Sequence, residues 1–401
     1  MTARGHRDQV SMPGTVYWLA LTIFVLTTSE FMVAGMMPSL AAVFGVSAAQ
    51  IGYLIALYAL GMVLGGPLLT ALFLWLKVPS RQALLWQLAL YLLGAVVAAS
   101  ASHYGTMALA RVITGVAGSA CIGGALAICA ETVAQEARGR ASSIVLSGMM
   151  LATVLGVPAA TLIDQHLGWR TSFWLVVALT AVCVVIVRAL VPSSRESSGA
   201  GLGEQFRALG SGTLWAAYAS SGLVIAAAYA AFTYVTAILT EVSGVPGTLL
   251  PILLGLYGLM NLVGNSLVGR FADRFTFAVL SSGLLVLGLA LLAFALCAEQ
   301  ALFSVVAFLV IGLVGVPLSP ALIVRVMRTA NPGPLVNSVH VSVINAGLAF
   351  IAWAGGLAIQ AGHGLKAPLW IGAVLALLAL LTLLPRRVRA SLAPAPLCEP
   401  G

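Results

Sequence analysis

Long apolar segments occupy most of this sequence and leave little room for a water-soluble fold. Of its 401 residues, 61% are hydrophobic and only 7% are charged. Soluble domains carry about 25% charged residues. A window of about 20 apolar residues is long enough to cross the hydrocarbon core of a bilayer as a helix. The sequence therefore predicts an all-α, multi-pass membrane protein.

The apolar windows predict twelve transmembrane helices. They lie near residues 16–38, 50–73, 82–101, 104–130, 141–163, 172–191, 214–240, 248–269, 277–297, 301–324, 336–360 and 367–385. Lys and Arg favour cytoplasmic loops. With the N-terminus inside, sixteen of the 19 Lys and Arg residues face the cytoplasm, Arg170 and Lys366 lie outside, and Arg111 lies within a helix. Both termini are therefore predicted to be cytoplasmic, and the net charge of +8 indicates contact with an anionic membrane surface rather than nucleic acid.

The longest polar stretch lies between the sixth and seventh predicted helices and divides the chain into two halves. It is rich in Ser, Gly and charged residues, which is typical of a linker. We predict an N-terminal six-helix bundle over residues 1–191, a cytoplasmic linker over 192–212, and a C-terminal six-helix bundle with a short cytoplasmic tail over 213–401.

An internal repeat supports this division. At an offset of 199 residues, segment 44–66 aligns with segment 243–265 without a gap. The identities include Gly45 with Gly244, Val46 with Val245, Leu57 with Leu256, Tyr58 with Tyr257, Leu60 with Leu259, and Gly65 with Gly264. Duplicated halves that meet near the bilayer midplane are common among secondary transporters. We therefore expect two pseudo-symmetric bundles that move about a central site.

Two charged residues lie well inside the apolar segments: Glu30 in the first predicted helix and Arg111 in the fourth. A charged group in hydrocarbon is costly, so such residues are candidates for function. At 1.5 Å per residue, Glu30 lies roughly 12 Å and Arg111 roughly 10 Å from the predicted outer end. The two side chains are therefore expected at similar depth.

A carboxyl group at this depth is a candidate proton carrier. Removal from water favours its protonated form, whereas a nearby guanidinium favours its ionised form. Movement of water, substrate or Arg111 would then load or unload a proton at Glu30. A static ion pair that only fixes helix packing is the alternative. His340 in the eleventh predicted helix competes for the same role, because histidine titrates near pH 6.5, although a lone histidine in a helix bundle is more often a hydrogen-bonded packing residue.

Glycine and proline mark the fifth predicted helix. Gly148 and Gly156 stand about two turns apart, and Pro158 follows. Small residues let a neighbouring helix approach closely, and proline bends a helix. The pattern predicts a bent, closely packed helix, and it does not by itself separate a functional bend from ordinary packing.

Arg270, Asp273 and Arg274 follow the eighth predicted helix, in a segment that we expect to be a loop. An acidic residue between basic residues can bridge neighbouring helix ends and hold a cytoplasmic gate closed. Exposed ion pairs contribute less than about 1 kcal/mol, so an ordinary charged surface is the alternative. The equivalent segment of the first half, after Gly65, has Lys77 and Arg81 but no aspartate.

A ligand cavity needs apolar and aromatic walls with a few polar groups. Side chains of this kind occur in the first, second, seventh and eleventh predicted helices, although each could serve packing instead. The candidates are Phe31, Tyr58, Tyr229, Phe232, Tyr234, His340 and Asn345. The sequence contains no P-loop, hydrolase elbow or metal-ligand spacing, so we expect no ATP use, catalysis, metal or cofactor.

Several stretches resemble the major facilitator superfamily, and the resemblance covers nearly the whole chain. They are TSEFMVAGMMPSLAAVFGVS in the first predicted helix, ARVITGVAGSA in the fourth, LGVPAATLIDQHLGWRTSFW around the fifth, VGRFADR after the eighth, and NSVHVSVINAGLAF in the eleventh. Within the superfamily, the chain looks most like the twelve-span drug:proton antiporters of bacteria, in the branch of chloramphenicol efflux proteins and arabinose-efflux-type permeases.

The resemblance implies roles for the two charged residues. In that fold the first and fourth helices line the cavity of the N-terminal half, so a direct or substrate-bridged contact between Glu30 and Arg111 is expected. Glu30 matches an acidic position of this branch, and Arg111 with Gly115 matches a motif implicated in proton transfer. At the 199-residue offset Glu30 falls on Tyr229, which predicts that proton chemistry belongs mainly to the N-terminal half.

The remaining motifs also resemble motifs of this superfamily. The set Gly148, Gly156 and Pro158 is similar to the glycine-proline motif of exporters, whose rigid bend is thought to limit leakage. The set Arg270, Asp273 and Arg274 is similar to the gating loop motif of the superfamily, and Gly65 precedes its incomplete counterpart in the first half.

These observations predict a proton-coupled antiporter of a cell inner membrane that exports small neutral or amphiphilic molecules, such as phenicol-type antibiotics, and so confers resistance. Its expected partners are the substrate, protons and the lipid bilayer, with no nucleic acid, and the protein is expected to be a monomer. A sugar efflux permease of the arabinose type is the alternative among transporters. A membrane sensor or scaffold that no longer transports is the alternative from another class.

Overall fold

Long helices account for most of the computed structural model, which describes residues 12–134, 137–192, 210–329 and 334–383. The helices are α1 (Gly14–Gly35), α2 (Met37–Phe44), α3 (Ala48–Trp75), α4 (Ser80–Ala99), α5 (Tyr104–Thr132), α6 (Arg138–Leu151), α7 (Val157–Leu167), α8 (Trp169–Leu190), α9 (Gly212–Phe232), α10 (Leu250–Leu296), α11 (Ala301–Val314), α12 (Ser319–Thr329), α13 (Pro334–Ala358) and α14 (Ala367–Leu383). The backbone forms no β-strand within the described ranges. An apolar helix satisfies its own backbone hydrogen bonds, as a membrane requires.

Ten helical segments of the described chain are long and apolar enough to cross a membrane. The prediction of a multi-pass helical membrane protein is therefore confirmed, but the eighth and ninth predicted helices are joined in α10. The twelfth predicted helix corresponds to α14, which begins at the predicted residue and is described as far as Leu383. The count of twelve and the cytoplasmic termini stay predictions. The termini and most of the predicted linker lie outside the described residues.

The segment with Arg270, Asp273 and Arg274 is helical, so the prediction of a loop there is wrong. Helix α10 runs through it, and only Phe275 departs from helical geometry, with φ −126° and ψ 39°. Arginine, alanine and phenylalanine are all compatible with a helix, and no proline interrupts the segment. The two apolar helices therefore meet at a kink of one residue.

Equivalent close contacts in the two halves support the internal repeat. A Cβ atom at Gly115 would lie 2.1 Å from the carbonyl oxygen of Tyr58, and one at Gly312 would lie 2.8 Å from the ring of Tyr257. The backbone therefore needs glycine where α3 meets α5, and again where α10 meets α11. Two further contacts follow the same pattern, namely Gly65 with Val116 and Gly264 with Leu313.

Hydrogen bonds join helices α1–α8 to the C-terminal part of the chain. They are Tyr53 Oη to Gln360 Oε1 at 3.0 Å, Gln165 Nε2 to Gly247 O at 2.7 Å, Thr236 Oγ1 to Ala34 O at 2.7 Å, and Ser342 Oγ to Val63 O at 3.2 Å. In the predicted topology the first three lie near the outer ends of their helices. The protein is therefore closed at that end by contacts between its N- and C-terminal helices.

Tyr234 fills space at the same end. Its side chain is fully buried, and its hydroxyl donates a hydrogen bond to the carbonyl oxygen of Ala352 at 2.5 Å. A Cβ atom at Gly52 of α3 would lie 2.0 Å from the Tyr234 hydroxyl oxygen, and one at Gly356 of α13 would lie 2.9 Å from it. The Tyr234 ring therefore occupies a slot between α3 and α13 that only glycine leaves open.

Candidate functional site

Arg111 is held at the centre of the N-terminal helices by the backbone of α1. Its side chain is 1% exposed. Nη1 donates to the carbonyl oxygen of Ser29 at 2.8 Å, and Nη2 donates to that of Glu30 at 2.8 Å. Nε lies 3.5 Å from Leu54 O, and the guanidinium lies 4.1 Å from the centroid of the Tyr58 ring. A carbonyl oxygen has two lone pairs, so α1 accepts these bonds without losing its own.

The Glu30 carboxylate is buried beside this arginine but does not pair with it. The side chain is 4% exposed. Among the described residues it forms no hydrogen bond and no salt bridge, although it lies within electrostatic range of Arg111. The expected direct contact is therefore made by the Glu30 backbone rather than by its carboxylate. A static ion pair between the two side chains is not what the structure contains.

A row of five aromatic rings extends from the residue next to Glu30 into the C-terminal helices. Phe31 stacks on Tyr229, with centroids 5.4 Å apart, and meets the edge of Phe232 at 5.6 Å. Phe232 contacts Tyr257 at 5.1 Å, and Tyr257 stacks on Phe308 at 4.5 Å. We call these five residues the aromatic row. It brings Phe31, Tyr229 and Phe232 together, and their role as the wall of a ligand cavity stays a prediction.

The other predicted cavity residues lie elsewhere. Tyr58 lies under Arg111, and Tyr234 lies in the slot at the closed end, without a ring contact to the aromatic row. The buried His340 has Nε2 2.8 Å from Ser221 Oγ and stacks on the Tyr218 ring at 5.7 Å. The Asn345 amide donates to Val341 O at 3.0 Å within its own helix. The structure thus places these four residues in local contacts, and their predicted roles stay predictions.

Gly148 and Gly156 bring the fifth predicted helix against α1. A Cβ atom at Gly148 would lie 2.2 Å from the carbonyl oxygen of Ala20. One at Gly156 would lie 2.0 Å from Thr28 Oγ1. Both glycines are therefore required for close approach to the helix that carries Glu30, which agrees with the predicted close packing.

The bend expected at Pro158 takes the form of a π-helical turn over Ala152–Gly156. Proline has no backbone N–H to donate, and a π-turn shifts the hydrogen-bond register around it. Helix α10 packs closely on this turn: a Cβ atom added at Gly258 would lie only 2.4 Å from Thr153 O. The turn therefore lies at the contact between the N- and C-terminal helices.

Arg270, Asp273 and Arg274 are exposed on α10. Arg328 of α12 donates a hydrogen bond to the backbone carbonyl oxygen of Asp273, and the Arg274 guanidinium lies 5.1 Å from the centroid of the Phe275 ring. Within the described ranges the Asp273 carboxylate forms no salt bridge. The link between neighbouring helix ends is made by the backbone, and a gating role of the charges stays a prediction.

Three residues around the site were not among the site residues predicted from the sequence. Tyr91 is fully buried, and its hydroxyl donates to Leu26 O in α1 at 3.4 Å. Tyr257 belongs to the aromatic row, and Asn261 donates from Nδ2 to the backbone oxygen of Tyr257 at 3.1 Å. The repeat contained a signal for Tyr257, because it aligns with the cavity candidate Tyr58.

The part of the chain that the structure describes offers no metal site. No group of three or more His, Cys, Asp or Glu side chains there is close enough to hold an ion. Cys121, Cys129 and Cys183 are buried as free thiols. Buried cysteine commonly serves as a small apolar packing residue.

Comparison with known proteins identifies the family. The model of the Major Facilitator Superfamily matches residues 19–335. The chain is 32% identical over 395 residues to the chloramphenicol resistance protein of Streptomyces lividans, which covers 96% of this chain and 99% of that protein. It is 31% identical over 364 residues to the inner membrane transport protein YdhP of Escherichia coli (strain K12), with coverage of 90% and 93%.

The fold comparison agrees with the sequence comparison. The crystal structure of a D-xylose-proton symporter superposes with a TM-score of 0.77 and covers 92% of this chain and 96% of that chain. At 15% sequence identity this likeness concerns the fold alone. The predicted resemblance is confirmed for the superfamily and for the branch that includes the chloramphenicol resistance protein. The chain belongs to the Major Facilitator Superfamily, which indicates a transporter.

Proposed function

We propose that this protein is a proton-coupled antiporter that exports small neutral or amphiphilic molecules, phenicol-type compounds among them. It would act by alternating access in a cell inner membrane, as a monomer with twelve helices and both termini in the cytoplasm. One observation carries the proposal. The Glu30 carboxylate is buried and forms no hydrogen bond or salt bridge among the described residues. It lies beside the aromatic row, whose rings come from both the N-terminal and the C-terminal helices.

The unpaired carboxylate suits a group that gains and loses a proton during the cycle. A carboxylate locked in a salt bridge would stay ionised, whereas burial without a partner favours the neutral acid. Hydration of the site, or a substrate that contacts Glu30, would stabilise the ionised form and release the proton. Proton and substrate would then compete, which is the condition for exchange of one against the other.

The comparisons support the choice of cargo. The relative from Streptomyces lividans is named for chloramphenicol resistance and aligns over almost its whole length. An aromatic wall also suits molecules with an aromatic ring, because ring pairs gain about 0.5–1.5 kcal/mol beyond the burial of their area.

The test replaces Glu30 by glutamine, which keeps the size of the side chain but cannot ionise. We expect Glu30→Gln to insert and fold but to lose chloramphenicol efflux driven by a proton gradient in proteoliposomes. Binding of chloramphenicol to the purified variant should persist, because the neutral amide imitates the protonated acid. The measurement compares efflux with and without a protonophore.

Glu299→Gln is the matched control. Glu299 forms a salt bridge with Lys366 at 2.8 Å in an exposed region, and this ammonium holds the pKa of the Glu299 carboxyl below its usual value. Its replacement also removes a negative charge, yet it should leave efflux unchanged. Full proton-driven efflux by Glu30→Gln would contradict the proposal. Efflux of arabinose but not of chloramphenicol by the wild type would favour the sugar permease.

A further inference from the structure

Two buried polar atoms in α10 have no hydrogen-bond partner among the described residues: Tyr257 Oη and Asn261 Oδ1. Tyr257 is 2% exposed and Asn261 is 8% exposed. The Asn261 amide nitrogen donates to the backbone oxygen of Tyr257, which leaves the amide oxygen as the free end. The two side chains are neighbours on successive turns, and the Asn261 amide group lies beside the Tyr257 hydroxyl without reaching hydrogen-bond geometry.

Such a pair needs an explanation. Most buried polar groups in proteins have a partner, and a buried group without one costs roughly 1–3 kcal/mol. By contrast, the buried hydroxyl of Tyr218 in α9 has a partner, because it donates to Val336 O at 2.7 Å. Within the described C-terminal helices, Arg325 Nη1 is the other buried side-chain atom without a partner, and it lies on a different helix, α12.

The pair lies at the far end of the aromatic row from Glu30. Tyr257 contacts Phe232 and Phe308, and Phe232 contacts Phe31, which follows Glu30 in α1. Tyr229 lies within electrostatic range of both Glu30 and Tyr257. Aromatic surface therefore joins a charged end in the N-terminal helices to an uncharged polar end in the C-terminal helices.

The repeat explains why the two ends differ. Gly115 and Gly312 make equivalent contacts and are 197 residues apart, and the same offset carries Arg111 onto Phe308. Arg111 lies 4.1 Å from the centroid of the Tyr58 ring, and Phe308 lies 4.5 Å from that of Tyr257. A phenyl ring thus occupies the place of the guanidinium. The second copy of the site has aromatic and neutral polar groups where the first has charges.

We propose that Tyr257 and Asn261 form the specificity-determining polar end of the substrate site, where they bind neutral aromatic molecules through hydroxyl or amide groups. A ligand hydroxyl or amide N–H donates to Asn261 Oδ1, and the Tyr257 hydroxyl donates to or accepts from the same molecule. The aromatic ring of the ligand lies along the aromatic row. This inference rests on the proposed function, because it assigns a substrate class to the same site.

The test measures chloramphenicol binding to the purified full-length protein by isothermal titration calorimetry. We expect Tyr257→Phe and Asn261→Leu each to raise the dissociation constant about 3- to 10-fold, which corresponds to the free energy of one lost hydrogen bond. Tyr218→Phe is the matched control, because it removes a hydroxyl from another buried tyrosine of the C-terminal helices. Its binding should equal that of the wild type.

A second readout uses thermal unfolding without ligand. Tyr257→Phe removes an unpartnered buried hydroxyl, so its melting temperature should equal or exceed that of the wild type. Tyr218→Phe breaks a hydrogen bond to Val336 O and should melt lower. If Tyr257→Phe melts as low as Tyr218→Phe, the Tyr257 hydroxyl is satisfied within the protein and the inference is wrong.

The outcomes separate this inference from the proposed function. Unchanged chloramphenicol binding by both Tyr257→Phe and Asn261→Leu overturns the inference, even when efflux still depends on Glu30. The absence of binding by the wild type overturns it as well. Weaker binding by both variants supports it, and if the wild type then shows no proton-driven efflux, only the proposed coupling fails.

Discussion

Replacement of Arg111 by lysine should lower the free energy of unfolding by about 2–4 kcal/mol and abolish proton-driven efflux. The guanidinium donates to two successive carbonyl oxygens of α1 and lies against the Tyr58 ring. A lysine ammonium keeps the charge, but it has neither the fork that reaches both oxygens nor the flat face that stacks. One carbonyl contact would be lost, and α1 would no longer be held in register beside Glu30.

Arg170→Lys is the control for this prediction. Arg170 also donates to a backbone oxygen, that of Ala101 at 3.0 Å, and lies 4.4 Å from the centroid of a Trp169 ring. It is exposed, so the change should cost less than about 1 kcal/mol. Thermal unfolding in detergent measures both variants. An equal loss of stability in the two would mean that burial of Arg111 does not determine its contribution.

Gly52→Ala should open the closed end of the protein and stop transport. The added methyl group would lie 2.0 Å from the Tyr234 hydroxyl oxygen and 2.4 Å from Cζ. The Tyr234 ring also packs closely against Gly355, where an added Cβ atom would lie 2.8 Å from its Cε2 atom. Its hydroxyl is held by the hydrogen bond to Ala352 O, so the ring has little freedom to move away. Helix α3 must therefore move away from Tyr234, and the outward-facing form becomes favoured.

Spin labels at positions 53 and 360 can measure this opening, because Tyr53 and Gln360 form a hydrogen bond at 3.0 Å in the closed form. The distance between the labels should increase in Gly52→Ala. Gly123→Ala is the control, since nothing beyond its own stretch of helix lies within 4 Å of the added Cβ, and alanine favours a helix more than glycine does. A closed distance distribution in Gly52→Ala would contradict the prediction.

Most of the helical architecture follows from the sequence because a bilayer imposes one length and one polarity on each segment. The one-residue kink at Phe275 does not follow from the sequence, since two separate apolar windows suggest that a loop lies between them. The π-turn over Ala152–Gly156 was also hidden, because a proline predicts a bend but not the hydrogen-bond register around it. Such details depend on the neighbouring helix, which a local pattern does not contain.

The charged side chains of the candidate site could be predicted from the sequence, but their hydrogen-bond partners could not. The rarity of charge in the apolar segments identified Glu30 and Arg111, and both are buried beside each other. Nothing in the sequence indicated that Arg111 would donate to backbone oxygens rather than to the Glu30 carboxylate, because every residue carries the same carbonyl group. Tyr234 resembled a cavity residue by composition, and only the glycines of α3 and α13 explain why it lies at the closed end.

The hydrogen bonds of Arg111 to backbone oxygens determine the sign of the charge around Glu30. Carbonyl groups do not titrate, so the arginine remains paired and positive whether or not Glu30 holds a proton. The sum of these two charges is zero when Glu30 is ionised and plus one when it is protonated, and it is never negative. An organic cation would meet either no attraction or repulsion there. The proposed substrate site should therefore discriminate against cationic compounds through its own charge balance, independently of their shape.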